Sequence, residues 1–424
     1  MSQLDDLVVE LTPLGALFTR AGHSLYLVGG IVRDGMLGTL PPLGDPQAGD
    51  IDLTTDAWPD QILEILRPLA SALWTQGERF GTIGATINGR PVEITTHRAE
   101  VYDEKSRKPV VSFGDDLETD LSRRDFTINA MAVRLPDGAL FDPYGGAADL
   151  SDQVLRTPLD PRISFTDDPL RMLRAARFIP RFKLNPDPDL VAAAIELHSR
   201  IEIVSVERVH DELERLLGVD DPTIGLRFAE QIGLLAAVLG PHQDDNALAL
   251  GIKIAASGGD NLERRARLLA PFGRARAADI LRRLRYSNDD RAETVSLLQI
   301  QEWLATATVA TPTLRRATDM VRGSGADKKV SVVSAALALG SDLAPDETRF
   351  RQLSELLAQL EQTEDLASMD GPFDGAQLMD RFNLSPGPIV GNASRYQREL
   401  RYEQGPITED AAATAIGAWL ADQG

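Results

Sequence analysis

The 424-residue chain contains no cysteine. Disulfide staples and thiolate metal sites are therefore excluded, and the absence fits a reducing compartment. Histidine is nearly as scarce: there are five, and the single His-Asp pair is His210-Asp211. No apolar run reaches membrane length, and Met1-Ser2-Gln3-Leu4-Asp5-Asp6 is acidic where a secretory leader would be basic. A cytoplasmic protein is expected. Positive charge is also short, 44 Lys and Arg against 64 Asp and Glu for a formal net charge of −20, which argues against a protein that coats nucleic acid indiscriminately. What remains is an ordinary globular composition, 43% hydrophobic and 25% charged, so disordered and fibrous classes drop out. A chain this long holds about two to four domains.

The residues that signal chemistry concentrate early. Leu25-Tyr26-Leu27-Val28 is a short apolar run ending in Gly29-Gly30, and Ile31-Val32-Arg33-Asp34 follows. This reads as strand, glycine turn and helix. The glycines let backbone N–H groups approach a ligand, and a helix N-terminus attracts phosphate. Asp50 and Asp52 flank Ile51. Side chains two apart on a strand share a face, so both carboxylates point one way while Ile51 points into the core. Two hard oxygen donors on a rigid face suit Mg²⁺, which takes its other ligands from water and substrate phosphates. The chemistry this permits is phosphoryl transfer with two metal ions. Either motif alone is common in turns; their succession carries the reading.

In chain order, residues 1–22 are predicted to be a helix with Leu7, Leu11, Leu14 and Leu17 on its apolar face. Pro41, Pro42, Gly44 and Pro46 mark a loop before the aspartate strand. A helix is expected over residues 58–73, then strands over 81–87 and 91–96 joined by a hairpin turn at Asn88-Gly89. Glu93 lies on the second strand, either as a third carboxylate beside Asp50 and Asp52 or as a surface position. Residues 98–113, with Lys105, Arg107 and Lys108, read as a mobile basic loop. The segment containing Arg123, Arg124, Asp125 and Asn129 offers guanidinium, carboxylate and amide groups suited to phosphate and ribose contacts. A Gly145-Gly146 turn closes this region.

Asp168 precedes Pro169, the pattern of an N-cap followed by proline in the first helical position. Arg171, Arg174 and Arg177 then recur every three residues along one edge. They form either a solvated basic stripe or a base-reading element. A carboxylate accepts and a guanidinium donates, so the pair Asp168 and Arg171 matches the amine donor and ring-nitrogen acceptor of cytosine and adenine and rejects uracil and guanine. Eight arginines between positions 264 and 285 form a second basic concentration, a candidate phosphate-binding face. Helices are expected over 279–285, 294–304, 330–339 and 349–361, and Pro388 is expected to start a helix in the tail.

Gly29-Gly30-Ile-Val-Arg33-Asp34, Asp50-Ile-Asp52, Arg123-Arg124-Asp125-Phe-Thr-Ile-Asn129-Ala, Asp142-Pro-Tyr-Gly-Gly and Asp167-Asp168-Pro-Leu-Arg171-Met-Leu-Arg174-Ala-Ala-Arg177-Phe resemble, in order, the motifs of class II tRNA nucleotidyltransferases, the bacterial CCA-adding enzymes and their poly(A) polymerase relatives. The resemblance covers about residues 20–240. It implies that Gly29, Gly30 and Arg33 hold the triphosphate, that Asp50 and Asp52 are catalytic and bind two Mg²⁺ ions with Glu93 a further catalytic candidate, and that Arg124, Asp125 and Asn129 contact the nucleotide. Asp168 and Arg171 would read the base, with Arg174 and Arg177 completing the pocket. The substrates implied are ATP, CTP and tRNA, the last bound at its acceptor end and elbow by basic residues of neck, body and tail. Position 167 is Asp where the family usually has Glu. The expected fold is α+β: a nucleotidyltransferase head with a small mixed sheet (1–150), then an all-α neck (151–240), body (241–365) and tail (366–424). The function expected is template-independent CCA addition; a poly(A) polymerase, a CC-only or A-only enzyme and a catalytically silent RNA binder are the alternatives.

Overall fold

The computed structural model describes residues 3–41, 50–101, 110–113, 116–240, 245–344 and 347–423. The chain forms two compact units, one of Met1–Glu212 with Ile224–Val238, the other of Leu213–Thr223 with Leu239–Gly424.

The first unit opens with α1 (Gln3–Arg20), whose buried face is Leu7, Leu11, Leu14 and Phe18; the helical period places Phe18 inward where Leu17 was expected. There follow β1 (Leu25–Val28), α2 (Gly30–Leu37), β2 (Ile51–Thr55) and α3 (Pro59–Leu66). The helix expected over 58–73 stops at Leu66. Pro68 has no N–H to continue the i to i−4 ladder, and after a final turn the chain passes into a strand instead. That strand is β3 (Ala72–Trp74), followed by β4 (Thr82–Ile87) and β5 (Arg90–Thr96). Asn88 and Gly89 both have positive φ, 52° and 78°, as a two-residue hairpin turn requires.

The segment expected as a loop at 98–113 begins and ends in paired strands, β6 (Arg98–Val101) and β7 (Val110–Phe113). Lys105, Arg107 and Lys108, like the loop residues Pro42, Gly44 and Pro46, lie outside the described residues. Next come α4 (Leu117–Ser122), β8 (Ala132–Leu135), β9 (Leu140–Phe141) and α5 (Gly146–Ser151). Seven strands join in one mixed sheet of order β3-β4-β5-β2-β1-β8-β9, in which β2 and β5 run parallel.

The alternation of the central strands sets the site. Ile51, Leu53, Val92 and Ile94 turn into the core with Leu25, Leu27, Ile83 and Ala85. Their strand neighbours therefore face the other way. The register pairs Asp52 with Glu93, so both carboxylates stand side by side on that opposite face.

The rest of the unit is helical: α6 (Pro161–Asp167), α7 (Leu170–Phe182), α8 (Pro188–Leu197), the start of α9 (Val206–Leu217), α10 (Thr223–Gln231) and α11 (Leu234–Leu239), with a two-strand pair, β10 (Val154–Leu155) and β11 (Asn185–Pro186). The helix predicted to begin at Pro169 starts one residue later. Asp168 still accepts from the Leu170 amide, at 3.2 Å, so it satisfies a free N–H at the helix start.

In the second unit the described residues form helices from α12 (Asp245–Ala255), α13 (Asn261–Leu269), α14 (Arg274–Arg283) and α15 (Asn288–Leu304) through α16 (Thr311–Met320), α17 (Lys329–Leu343) and α18 (Glu347–Thr363) to α19 (Gly375–Phe382), α20 (Pro388–Gln404) and α21 (Glu409–Ala421). Pro388 opens α20 as expected. Glu364 is clamped by Arg315 at 2.8 Å and Arg401 at 2.5 Å, which ties α16 and α20 to the end of α18. Among the described residues no helix is long and apolar enough to cross a membrane.

Because Ile94 is fully buried beneath the catalytic face, Ile94→Ala should destabilise the first unit by about 2–5 kcal/mol. Urea unfolding followed by circular dichroism would measure the loss.

Candidate active site

The chain leaves β1 through Gly29, whose φ of 77° is left-handed. The N–H groups of Val32 and Arg33 return to the Gly29 carbonyl, while those of Gly30 and Ile31 have no acceptor within α2. A Cβ at position 29 would lie 2.8 Å from Arg124 Nη1. Glycine is thus required both by the backbone and by the approach of a guanidinium. Arg124 donates from Nη2 to Asp120 at 3.2 Å, and its Nε is buried with no hydrogen-bond partner. A buried unpaired donor costs about 1–3 kcal/mol. Beside a glycine turn and an open helix start, that donor is satisfied when an anion occupies the position. Asp120, 1% exposed, also accepts from Arg123 and so fixes both guanidinium groups.

Asp52 and Glu93 stand next to each other in register, and Asp50 immediately precedes β2. Partial dehydration raises the Asp52 carboxyl above its ordinary pKa; Arg124 opposes the rise, and the charges of Glu93 and Asp50 add to it. Three acids held where their charges disfavour one another suit a divalent cation with hard oxygen ligands. Among the described residues no three such groups have already converged on one point. Asp50 and Asp52 are the donors that could hold a metal, with Glu93 adjacent.

Behind the glycine turn runs a chain of paired charges. Arg33 is 5% exposed; its Nε donates to Asp34 at 2.8 Å, its Nη1 to Asn129, and its guanidinium lies 4.2 Å over the Phe182 ring. Asn129 Nδ2 donates to Asp125 Oδ1 at 2.9 Å. Asp125 Oδ2 accepts from Arg174 Nε at 2.9 Å and Nη2 at 2.5 Å. Burial pushes the Asp125 carboxyl up, but Arg174 and the Asn129 hydrogen bond outweigh it and hold its pKa below the ordinary value. Arg174 also approaches Glu212 within 3.8 Å, and Glu212, 2% exposed, accepts from Arg177. Arg174 and Arg177 are therefore not a solvated stripe: both are held by acids on neighbouring elements.

The expected base-reading pair has partners of its own. Arg171, 8% exposed, donates from Nη1 to Ser164 Oγ at 2.7 Å and from Nη2 to the Arg123 carbonyl. Asp168 Oδ2 accepts from Arg208 Nη2 at 2.7 Å. Asp168 and Arg171 are thus oriented from behind, by Arg208 and by Ser164.

Residues 25–156 match the family model described as the poly A polymerase head domain, and residues 183–246 match a probable RNA- and SrmB-binding site of polymerase A. The head, residues 25–156, is thus similar to the poly A polymerase head domain, and the similarity resumes in the RNA-binding segment that follows. The chain is 36% identical over 217 residues to the CCA-adding enzyme of Lactobacillus helveticus, an alignment covering 51% of each chain, and 36% identical over 215 residues to that of Bacillus subtilis, covering 50% of this chain and 51% of the relative. It therefore spans about half the length of the curated relatives it matches. The fold likeness runs further. The Bacillus stearothermophilus CCA-adding enzyme in complex with CTP superposes with a TM-score of 0.75 at 24% identity over 100% of this chain and 99% of that one. The Thermotoga maritima CCA-adding enzyme complexed with tRNA gives 0.69 at 20% identity over 98% and 95%.

In this head the structure gathers Gly29, Gly30, Arg124, Asp52 and Glu93 around one sheet face, with Asp50 leading into it. Arg33, Asp125, Asn129, Arg174 and Arg177 form the charge chain behind. Sequence reasoning missed Asp120, Ser164, Arg208 and Glu212. Only Asp120 had a local signal, four residues before Arg124 on a helix. The arginine run at 264–285 reads differently in the fold. Arg264 donates to the carbonyls of Leu217, Val219 and Asp220; Arg265 meets Glu214 at 3.1 Å; Arg267, 2% exposed, meets Asp342 at 2.9 Å; and Arg276 and Arg282 meet Asp279 at 3.2 and 2.5 Å. Arg264, Arg265 and Arg267 are thus taken up by helix ends and helix contacts, whereas the Arg274 and Arg282 side chains remain 44% and 69% exposed beside their acid partners, so the candidate phosphate-binding face narrows to the exposed arginines of the run.

Two consequences are testable. Asp125→Ala strands Arg174 and frees Asn129, and should cost about 3–5 kcal/mol in a thermal or urea unfolding comparison. Asp52→Asn should do the opposite without metal. The folded-state pKa of Asp52 lies above its unfolded 3.8, so the wild type loses stability as pH rises from the unfolded to the folded value and stays penalised above it. The variant's melting temperature should exceed the wild type's at neutral pH, and the difference should vanish on acidification below 3.8.

Proposed function

We propose that the protein adds C, C and A, without a template, to the 3′ end of tRNA, using CTP and ATP. The observation that carries this is the placing of Asp52 and Glu93 in register, with Asp50 beside them, next to a glycine turn where Arg124 keeps an unpaired buried donor. Carboxylates and an anion-seeking corner at one place are what nucleotidyl transfer needs. The names of the matched relatives and of the solved complexes with CTP, ATP and tRNA support CCA addition in particular.

In this reading the triphosphate lies against Gly29, Gly30 and the α2 N-terminus with Arg124 alongside, which orients the α-phosphorus toward the carboxylate face. The acceptor 3′-oxygen bonds to that phosphorus, the bond to the β-phosphate oxygen breaks, and pyrophosphate leaves. The hydroxyl proton passes to a carboxylate of the cluster, Asp50 being the one proposed. Mg²⁺ bound by Asp50 and Asp52, as two ions, would supply stabilisation of the negative charge that develops on the transferring phosphoryl group. Asp168 accepts from the amine of cytosine or adenine while Arg171 donates to its ring nitrogen; Arg208 and Ser164 keep both groups aimed. Arg33, Asp125, Asn129, Arg174 and Arg177 hold this pocket in register. The head 1–150 performs the chemistry and the neck 151–240 reads the base, while body 241–365 and tail 366–424 hold the tRNA elbow.

A poly(A) polymerase uses the same chemistry, and one assay separates the readings. Labelled CTP and ATP are supplied with Mg²⁺ to tRNAs ending before CCA, after C and after CC. Stepwise C, C, A addition that then stops is expected; repeated A on any RNA would replace the assignment with a polymerase. A only after CC, or C only, would mean a split-function enzyme, and no incorporation a silent RNA binder. Asp50→Ala should abolish incorporation with nucleotide still bound. Asp168→Ala should retain some activity while admitting U and G, because the acceptor for the exocyclic amine is gone.

A further inference from the structure

Beyond Glu93 the catalytic face continues across two more strands to an aromatic side chain that nothing above uses. The register runs Asp52, Glu93, Gly84, Trp74 in one line across β2, β5, β4 and β3. Register partners share a face, so all four belong to the carboxylate side of the sheet. The Trp74 indole lies flat on Gly84: a Cβ there would fall 1.9 Å from Trp74 Nε1 and 2.0 Å from Cε2. Gly84 is buried by that ring, whereas Trp74 itself stays partly open to solvent. The absent side chain at position 84 lets the indole reach toward Glu93. Strands lie about 4.8 Å apart, so the β3 backbone is roughly 14 Å from that of β2 and the ring spans part of the gap, about the reach of one nucleotide.

Which side of the carboxylates is free follows from the sheet order. Gly29, α2 and Arg124 occupy the β1 side of Asp52, where the triphosphate belongs. An in-line displacement brings nucleophile and leaving group to opposite sides of the reacting phosphorus. The acceptor strand is left the β5-β4-β3 side. Its terminal base is the transcript's own last base at the first addition and C at the next two, so the surface that holds it must accept more than one base. Stacking on an aromatic ring meets that condition where hydrogen-bond readout does not.

We propose that Trp74 is the platform on which the 3′-terminal base of the RNA acceptor stacks, a role that rests on the nucleotidyl-transfer reading of the site. The test uses the full chain with Mg²⁺ and a tRNA transcript ending before CCA. Trp74→Ala should raise the acceptor KM about tenfold with the CTP KM unchanged, and Trp74→Phe, which keeps a ring, should restore most of the affinity. An unchanged acceptor KM, or an equal rise in both KM values, overturns the proposal. Binding is read separately, as the wild-type fluorescence minus that of Trp74→Phe during titration with the same RNA and no nucleotide. This difference signal should respond to the intact RNA and not to one whose 3′ nucleotide is abasic; no response overturns the proposal even if Trp74→Ala fails to fold. Wild-type protein that binds with this response but incorporates nothing would overturn the enzymatic reading while leaving the platform standing.

Discussion

The head depends on one continuous chain of paired charges, Asp34 to Arg33 to Asn129 to Asp125 to Arg174 to Glu212 to Arg177. It crosses from the first helix after the glycine turn to the helix that carries Arg171, Arg174 and Arg177, and most of its members are buried. Removing water from charges is costly unless every member finds a partner, so the chain is stable only when α2, the Arg123-to-Asn129 segment, α7 and the start of α9 are in place together. That requirement makes the distance between the glycine turn and the pair Asp168 and Arg171 a property of the fold rather than of mobile side chains.

The carboxylate face has the opposite character. Partial dehydration raises the Asp52 carboxyl, the charges of Glu93 and Asp50 add to the rise against the pull of Arg124, and Arg124 keeps a buried donor unpaired. These features cost stability in the free protein. In the proposed function they sit where a cation and a triphosphate would supply the missing partners. The satisfied network behind and the unsatisfied surface in front explain why residues of like type, Arg33 and Arg124, play different parts: one is a strut between helices, the other waits for an anion.

Much of this was legible in the sequence because short-range rules govern it. The glycine turn, the alternation around Asp50 and Asp52, and the Asn88-Gly89 hairpin need only local backbone preferences. The helix over 58–73 failed because Pro68 outweighs apolar periodicity. The ends of the 98–113 segment became strands because they pair with each other, a tertiary gain that polar composition does not announce. Glu93 could not be assigned from sequence: its place beside Asp52 requires knowing that β5 pairs with β2, in parallel and in that register. The arginine run could not be sorted from sequence for a related reason. A guanidinium satisfying helix carbonyls and one awaiting phosphate look the same in a list of residues.

By itself, then, the sequence determined the order of elements in the head, the carboxylate pair and the helix starts, since propensity, period and turn chemistry act over a few residues. Only the tertiary structure decided which charges are struts and which are open, how Asp168 and Arg171 are aimed by Arg208 and Ser164, and that Trp74 shares a face with the catalytic acids. Those outcomes rest on strand order and on contacts between residues as many as 96 positions apart, as Arg33 and Asn129 are. Burial and pairing over such separations are fixed when the chain closes on itself, and no local pattern encodes them.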